Sequence, residues 1–242
     1  SVSFGLVIVK IFNRTFRAWA GQKQGQNGRN PQRQHIITHS VLAPRPALLP
    51  RPKYCQLTNM NATQLLNIAL ISPYHGGSHR AWADGLKQAS QHRIELFTLP
   101  ARFWKWRMHG GAVTLASQFL EAQFPADVIL ATDMLDVTTF LALTRPFTSH
   151  TPIGLYMHEN QLTYPLPSDG RTGPMRRQHG ERDLHYVFIN FASMLVADFV
   201  LFNSHYHLES WFGALPGFLR HFPEHRELQA AAALRAKSQV VP

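Results

Sequence analysis

Two stretches of this sequence put reactive side chains at the ends of apolar strands. In "ISPYHGGSHRAWADGL", residues 71–86, an apolar strand over Asn67–Ser72 runs into Pro73-Tyr74-His75. Gly76, Gly77, Ser78 and His79 follow, then a helical pattern with Trp82 and Leu86 on one side. Glycine lets a backbone pass close to a ligand and tolerates positive φ. The helix N-terminus behind the turn offers free N–H groups and a positive dipole end to an anion such as a phosphate. Ser78 is placed to cap that helix. A tight βα turn that needs glycine only for its shape would read the same. In "IGLYMHENQLTYP", residues 153–165, a buried strand ends in His158-Glu159-Asn160-Gln161. Ligands of open α/β sheets bind outside the carboxyl ends of the strands. His158 and Glu159 should therefore share an edge with Gly76-Gly77. The alternative is a polar cluster that satisfies loop backbone.

A third stretch, residues 181–207, places Asp183, Val187 and Asn190 on one helical face and Phe188, Ala192 and Leu195 on the other, expected to face the core. A strand over Phe199–Phe202 follows, closed at the same edge by Asn203-Ser204. Ser204 also suits the N-cap of the next helix. Between the first two stretches, Trp104, Lys105, Trp106 and Arg107 interleave aromatics with cations. That pattern suits stacking on bases or sugars with phosphate contacts, or an amphipathic loop packed on the sheet.

Several chemistries are excluded. The GxGxxG spacing is missing, and Leu99-Pro100 stands where a nicotinamide dehydrogenase carries an acidic residue. The Walker lysine is also missing. Leu162 occupies the second histidine position of an HExxH metalloprotease helix. The 14 histidines are scattered, and no pair has a clear ligand spacing.

The elements that must position these groups follow from composition and periodicity. The chain has 242 residues and a net charge of +10. Nine Lys/Arg and no Asp or Glu fall in residues 1–59, which leaves 15 basic and all 14 acidic residues for 60–242. The basic balance belongs to the N-terminal quarter, not to the folded part. That quarter is turn-rich and Pro-rich, an irregular segment that is either upstream sequence ahead of Met60 or a tail or targeting segment. A single cysteine, Cys55, rules out an intrachain disulfide framework. No apolar run reaches bilayer-spanning length, so no membrane partner is expected. Strand-length runs occur at Asn67–Ser72, Ile94–Leu99, Val128–Ala131, Ile153–Met157 and Phe199–Phe202. Helical patterns fill about 79–91, 111–124, 136–144, 181–197, 204–213 and 225–237. Short buried strands alternating with helices predict an α/β domain with an open parallel twisted sheet over 60–242.

Taken in order, "SPYHGGSHRAWADGL", "FTLPARFWKWRMHGG", "ATDMLD", "MHENQLTYP" and "FNSHYH" resemble the tRNA-queuosine mannosyltransferase family over about 66–242. The resemblance implies the Rossmann-like N-terminal domain of a retaining GT-B glycosyltransferase. It implies transfer of mannose from GDP-mannose to queuosine in tRNA, with no metal and no other cofactor. Carried over by motif, Gly76 and Gly77, with Ser78 and His79, would approach the diphosphate. His158 would face the donor sugar. Glu159, Asn160 and Asp133 would orient hydroxyls of sugar or acceptor, and Gln161, Asn190, Asn203 and Ser204 would complete the substrate edge. His158 and Glu159 would be the catalytic pair, and Trp104 to Arg107 would face tRNA. The family implies a cytoplasmic protein with no obligate protein partner. A GT-B enzyme has two such domains. The closing "AKSQVVP" resembles the linker into the second, so the donor-binding domain is expected to be absent and this half alone inactive. The alternative is a non-catalytic α/β module that binds tRNA or sugar. Gly76, Asp133, His158 and Asn203 should line one cleft.

Overall fold

The computed structural model describes residues 65–163 and 184–242. The basic segment 1–59, Met60 and Asp183 lie outside these described residues. Strands and helices alternate in the order β1 (Asn67–His75), α1 (Gly77–Ala89), β2 (Arg93–Pro100), α2 (Trp104–Ala122), β3 (Val128–Thr132), α3 (Val137–Thr148), β4 (Ile153–Met157), α4 (Leu184–Val196), β5 (Phe199–Phe202), α5 (His205–Leu219), α6 (Leu228–Ala236) and β6 (Ser238–Val240). The strands form one sheet in the order β2-β1-β3-β4-β5-β6, and every pairing is parallel. The expected open parallel α/β sheet is what the chain forms.

Strand side chains alternate between two cores, as a period of two requires. Ile68, Leu70, Val128 and Leu130 join Ala83 and Leu86 of α1 on one face. Ala69, Ile71, Ile129 and Ala131 face α2 to α6 on the other. Both faces are covered, which is why β3, β4 and β5 read as unbroken apolar runs. Two aspartates fix strand starts: Asp127 accepts from the Asn67 N–H and Asp198 from the Ile153 N–H, each at 2.8 Å. The strand order reverses between β1 and β3, and the carboxyl ends there carry the glycine turn and Asp133.

Five local expectations are corrected. Helix α2 begins at Trp104, seven residues earlier than the pattern suggested, so Trp104 to Arg107 form its first turn and not a loop. The pair Gly110-Gly111 does not break the helix; a Cβ on Gly111 would lie 3.2 Å from Pro73, so the glycine lets α2 pack against the end of β1. Helices α3 and α5 continue past Pro146 and Pro216. In α4 the faces are exchanged: Val187 and Asn190 are buried, and Phe188 is 43% exposed. The face toward the sheet is set by Tyr186, Val187, Phe191 and Met194, so Asn190 is carried inward with them. The segment read as a linker contains β6, tied to α4 by Lys237, whose Nζ donates to the carbonyls of Leu195 and Ala197.

Asp136 caps α3. It accepts from the Thr139 N–H at 3.0 Å and from the hydroxyls of Thr138 and Thr139. Burial would raise its pKa, but these donors outweigh it and hold the carboxyl below the usual value. A carboxylate with a depressed folded pKa contributes stability above its unfolded pKa and loses it as pH falls through the folded one. Asp136→Ala should therefore cost about 0.5–2 kcal/mol at pH 7. Urea unfolding at pH 7 and near pH 3 should show that difference shrinking on acidification.

Candidate active site

The turn after β1 is shaped by two different demands on glycine. A Cβ on Gly76 would lie 2.3 Å from the Cβ of Ala101, so only glycine lets the backbone pass there. Gly77 sits at φ +52, in the left-handed region. Gly76 is the N-cap of α1, and no side chain caps the helix. The expected Ser78 cap is not made: Ser78 lies inside the first turn and is exposed, too far along the helix to accept from its leading N–H groups. The first turn of α1 is left open to an external acceptor.

His79, one residue on, points inward and is 2% exposed. Its ring stacks on His158 with centroids 4.1 Å apart and 24° between planes. Neither nitrogen has a hydrogen bond among the described residues. Its Nε2 lies 3.7 Å from Glu159 Oε1, an ion-pair distance and not a hydrogen bond. Burial pushes this imidazole's pKa down, but the carboxylates of Glu159 and Asp133 outweigh it and hold it above the ordinary histidine value.

Asp133 lies just beyond β3 and is completely buried. Its Oδ1 faces His158 Nδ1 at 3.2 Å, and its Oδ2 accepts from the Glu159 N–H at 2.9 Å. Burial would raise the carboxyl pKa; His158, the charge of His79 and the Glu159 N–H outweigh it and keep it low. An ionised Asp133 requires the proton on His158 Nδ1, which leaves Nε2 as the unprotonated ring nitrogen of the neutral imidazole. That Nε2 has no partner within the described residues. The next residue, Met134, holds a left-handed φ of 69, a strained conformation of the kind that gathers at functional sites.

Asn203 braces the loop from behind. Its Nδ2 donates to the His158 carbonyl at 2.9 Å, and its Oδ1 accepts from Ser204 and His207. Ser204 caps α5 by accepting from the His207 N–H, as its sequence position suggested. Asn160 donates to Ser210 at 2.8 Å. Around these groups opens a cavity of about 330 Å³ walled by His158, Glu159, Asn160, Thr163, Asn203, Ser204, Tyr206, His207 and Ser210. A larger cavity of about 410 Å³ lies beside Phe119, Phe124 and Phe147, at the amino ends of the strands and away from every candidate group.

His158, Glu159, Asn160, Asn203 and Ser204 thus share one wall, with Asp133 behind them and the Gly76-Gly77 turn on the same edge through His79. Gln161 turns away and donates to Met108 Sδ at 3.4 Å. Asn190 is not brought to the cavity; it is fully buried in α4, and its amide has no partner among the described residues. Sequence reading missed Thr163, Tyr206, His207 and Ser210. The spacing 203, 207, 210 is one helical face, and it gains meaning once Ser204 is fixed as the cap.

His79, Asp133 and His158 also bring three potential metal-ligand atoms within 4.8 Å of one another. The two rings lie face to face, however, so their in-plane lone pairs run nearly parallel and do not converge on a common point. The arrangement is a stacked imidazole pair between two carboxylates.

The family described as tRNA-queuosine alpha-mannosyltransferase N-terminal matches residues 67–242, from the first residue of β1. The chain belongs to this family. A relative from Drosophila melanogaster, named tRNA-queuosine alpha-mannosyltransferase, is 31% identical over 176 residues, covering 72% of this chain and 44% of the relative. The chain therefore spans less than half the length of that curated relative. No solved structure matches it significantly. The cavity beside His158 and Glu159 lies at the strand carboxyl ends, where motifs that carry the family resemblance converge in this chain.

Glu159→Gln should lower the His79 titration midpoint, since burial then meets one carboxylate fewer. A raised folded pKa contributes stability below the unfolded value near 6.5 and loses it as pH rises through the folded value. Histidine-resolved NMR titration should show the drop. Unfolding of the parent between pH 6 and 8 should show stability falling with pH more steeply than in the variant.

Proposed function

We propose that this chain is the acceptor-side half of a retaining GT-B enzyme that transfers mannose from GDP-mannose to the cyclopentenediol of queuosine in tRNA, in the cytoplasm. The observation that supports it best is the cavity at the strand carboxyl ends, lined by residues that carry hydrogen-bonding groups, with the His158-Glu159 pair on its wall and the uncapped α1 terminus on the same edge. The family match supplies the reaction class.

In the transfer, the bond from the sugar's anomeric carbon to the diphosphate breaks and a bond to an acceptor hydroxyl oxygen forms on the same face. The hydroxyl proton leaves with the departing diphosphate. The open N–H groups of α1 meet the diphosphate, where charge builds as the bond breaks. His158, oriented by Asp133, faces the donor sugar from the cavity wall. The Glu159 carboxylate, 39% exposed, accepts from a hydroxyl. Helix termini and protein donors supply the stabilisation, so the reading requires no metal.

One wall does not hold the donor. A helix terminus contributes about 0.3–1 kcal/mol at an exposed site. Micromolar binding needs about 8 kcal/mol. Positioning that makes the step effectively unimolecular is then missing. Radiolabelled GDP-mannose and queuosine-containing tRNA should give no transfer with the chain alone. Transfer should follow when it is joined to the C-terminal part of the Drosophila relative, and His158→Ala should slow that joined protein at least about 100-fold. Robust transfer by the chain alone would overturn the two-sided requirement. Retained tRNA binding without transfer by either form would favour a binding module.

A further inference from the structure

The first turns of α2 present a surface that the transfer chemistry does not use. Phe103 is 79% exposed and Trp106 is 63% exposed, with Arg102 and Lys105 exposed beside them. No Asp or Glu occurs between residues 96 and 120. Trp106 is held in place all the same. A Cβ on Gly110 would lie 2.8 Å from two of its indole carbons, so the ring lies back over the glycine one turn further along the helix. Glycine weakens a helix interior relative to alanine; here it opens the ledge on which the indole rests. A ring supported on one side and open on the other offers a π face with little ordering left to do.

The surroundings are fixed in the same way. Lys105 Nζ stands 5.6 Å from the ring centroids of both Trp104 and Tyr186. His109 stacks on His185 at 4.9 Å. Met108 packs with Met134, Tyr186 and Ile189, and its contact with Gln161 ties this surface to the His158-Glu159 loop.

We infer that the exposed indole face of Trp106, held on the Gly110 ledge and flanked by Arg102 and Lys105, stacks an unpaired base of an RNA loop. The inference rests on the tRNA reading above and deepens it. Aromatic faces take bases of any sequence, and neighbouring cations take the phosphates. A duplex keeps its base faces stacked inside, so this surface selects unpaired nucleotides.

The probe is a fluorescein-labelled, unmodified RNA hairpin with a seven-nucleotide loop, followed by anisotropy with the full 242-residue chain. A blunt RNA duplex of the same length is the second arm. Trp106→Ala should weaken hairpin binding about 5- to 150-fold and leave the duplex within about twofold. Gly110→Ala should also weaken hairpin binding while raising the thermal unfolding midpoint, because the new methyl displaces the indole but favours the helix. Loss of binding with gain of stability separates a displaced platform from a damaged fold. Unchanged hairpin binding by both variants would overturn the inference, as would an equal loss on hairpin and duplex. The probe carries neither queuosine nor donor, so failure of mannosyl transfer leaves this outcome readable on its own.

Discussion

The carboxylate of Asp133 is completely removed from water, and the candidate site is arranged around keeping it there ionised. An isolated charge at such depth would cost several kcal/mol. The offset comes from three directions: the His158 ring, the Glu159 N–H and the field of His79. Each compensation fixes something else. The bond to His158 sets its tautomer and leaves Nε2, itself buried, without a partner among the described residues. The bond to the Glu159 backbone fixes the loop that places the Glu159 side chain at the cavity. The Asn203 strut then holds the His158 carbonyl from the opposite side. One buried charge thus orders a strand end, a loop and a ring, and removing it would leave each without a partner.

The parallel sheet makes that arrangement possible. Every strand points its carboxyl end the same way, so groups distant in sequence arrive along one edge. The reversal of strand order between β1 and β3 parts the flanking helices, and α1 covers its face of the sheet while α2 to α6 cover the other. Gly76 and Gly111 let chain segments approach β1 closely on both sides of that point. The packing that closes the core thereby leaves the uncapped α1 terminus beside the Asp133 cluster.

The central strands were legible because burial on both faces demands apolar residues at every position, as in Val128–Thr132 and Phe199–Phe202. β6 was not: it has three half-buried residues at the sheet edge, too few to show a pattern. The start of α2 was hidden because glycines usually break helices, whereas Gly110 and Gly111 serve contacts that exist only in three dimensions. The inward turn of Asn190 was hidden for a related reason, since α4 is apolar enough all round that its period alone does not choose a face. At the site, strand-end clusters such as His158-Glu159 and Asn203-Ser204 were readable from their position. The stacking of His79 on His158 was not, because it depends on how α1 leans over β3 and β4 and not on any local spacing.

Charge is segregated along this edge in a way that orders how a polyanion can approach. The cavity wall carries the partly exposed Glu159 carboxylate with the ionised Asp133 behind it. A phosphate brought to about 4 Å of such a carboxylate, at an effective dielectric of about 20, meets a repulsion of about 4 kcal/mol. A neutral hydroxyl there meets an acceptor. The start of α2 has the opposite character, with Arg102, Lys105 and Arg107 and no acid from residue 96 to 120. The α1 terminus lies on the same edge, open to an anion but backed by the His79-Glu159 pair. A nucleic acid laid across this edge is therefore sorted by its own chemistry. On the tRNA reading, its backbone would be drawn to α2 and kept from the cavity, and a hydroxyl-bearing group without negative charge projecting from it could enter beside Glu159.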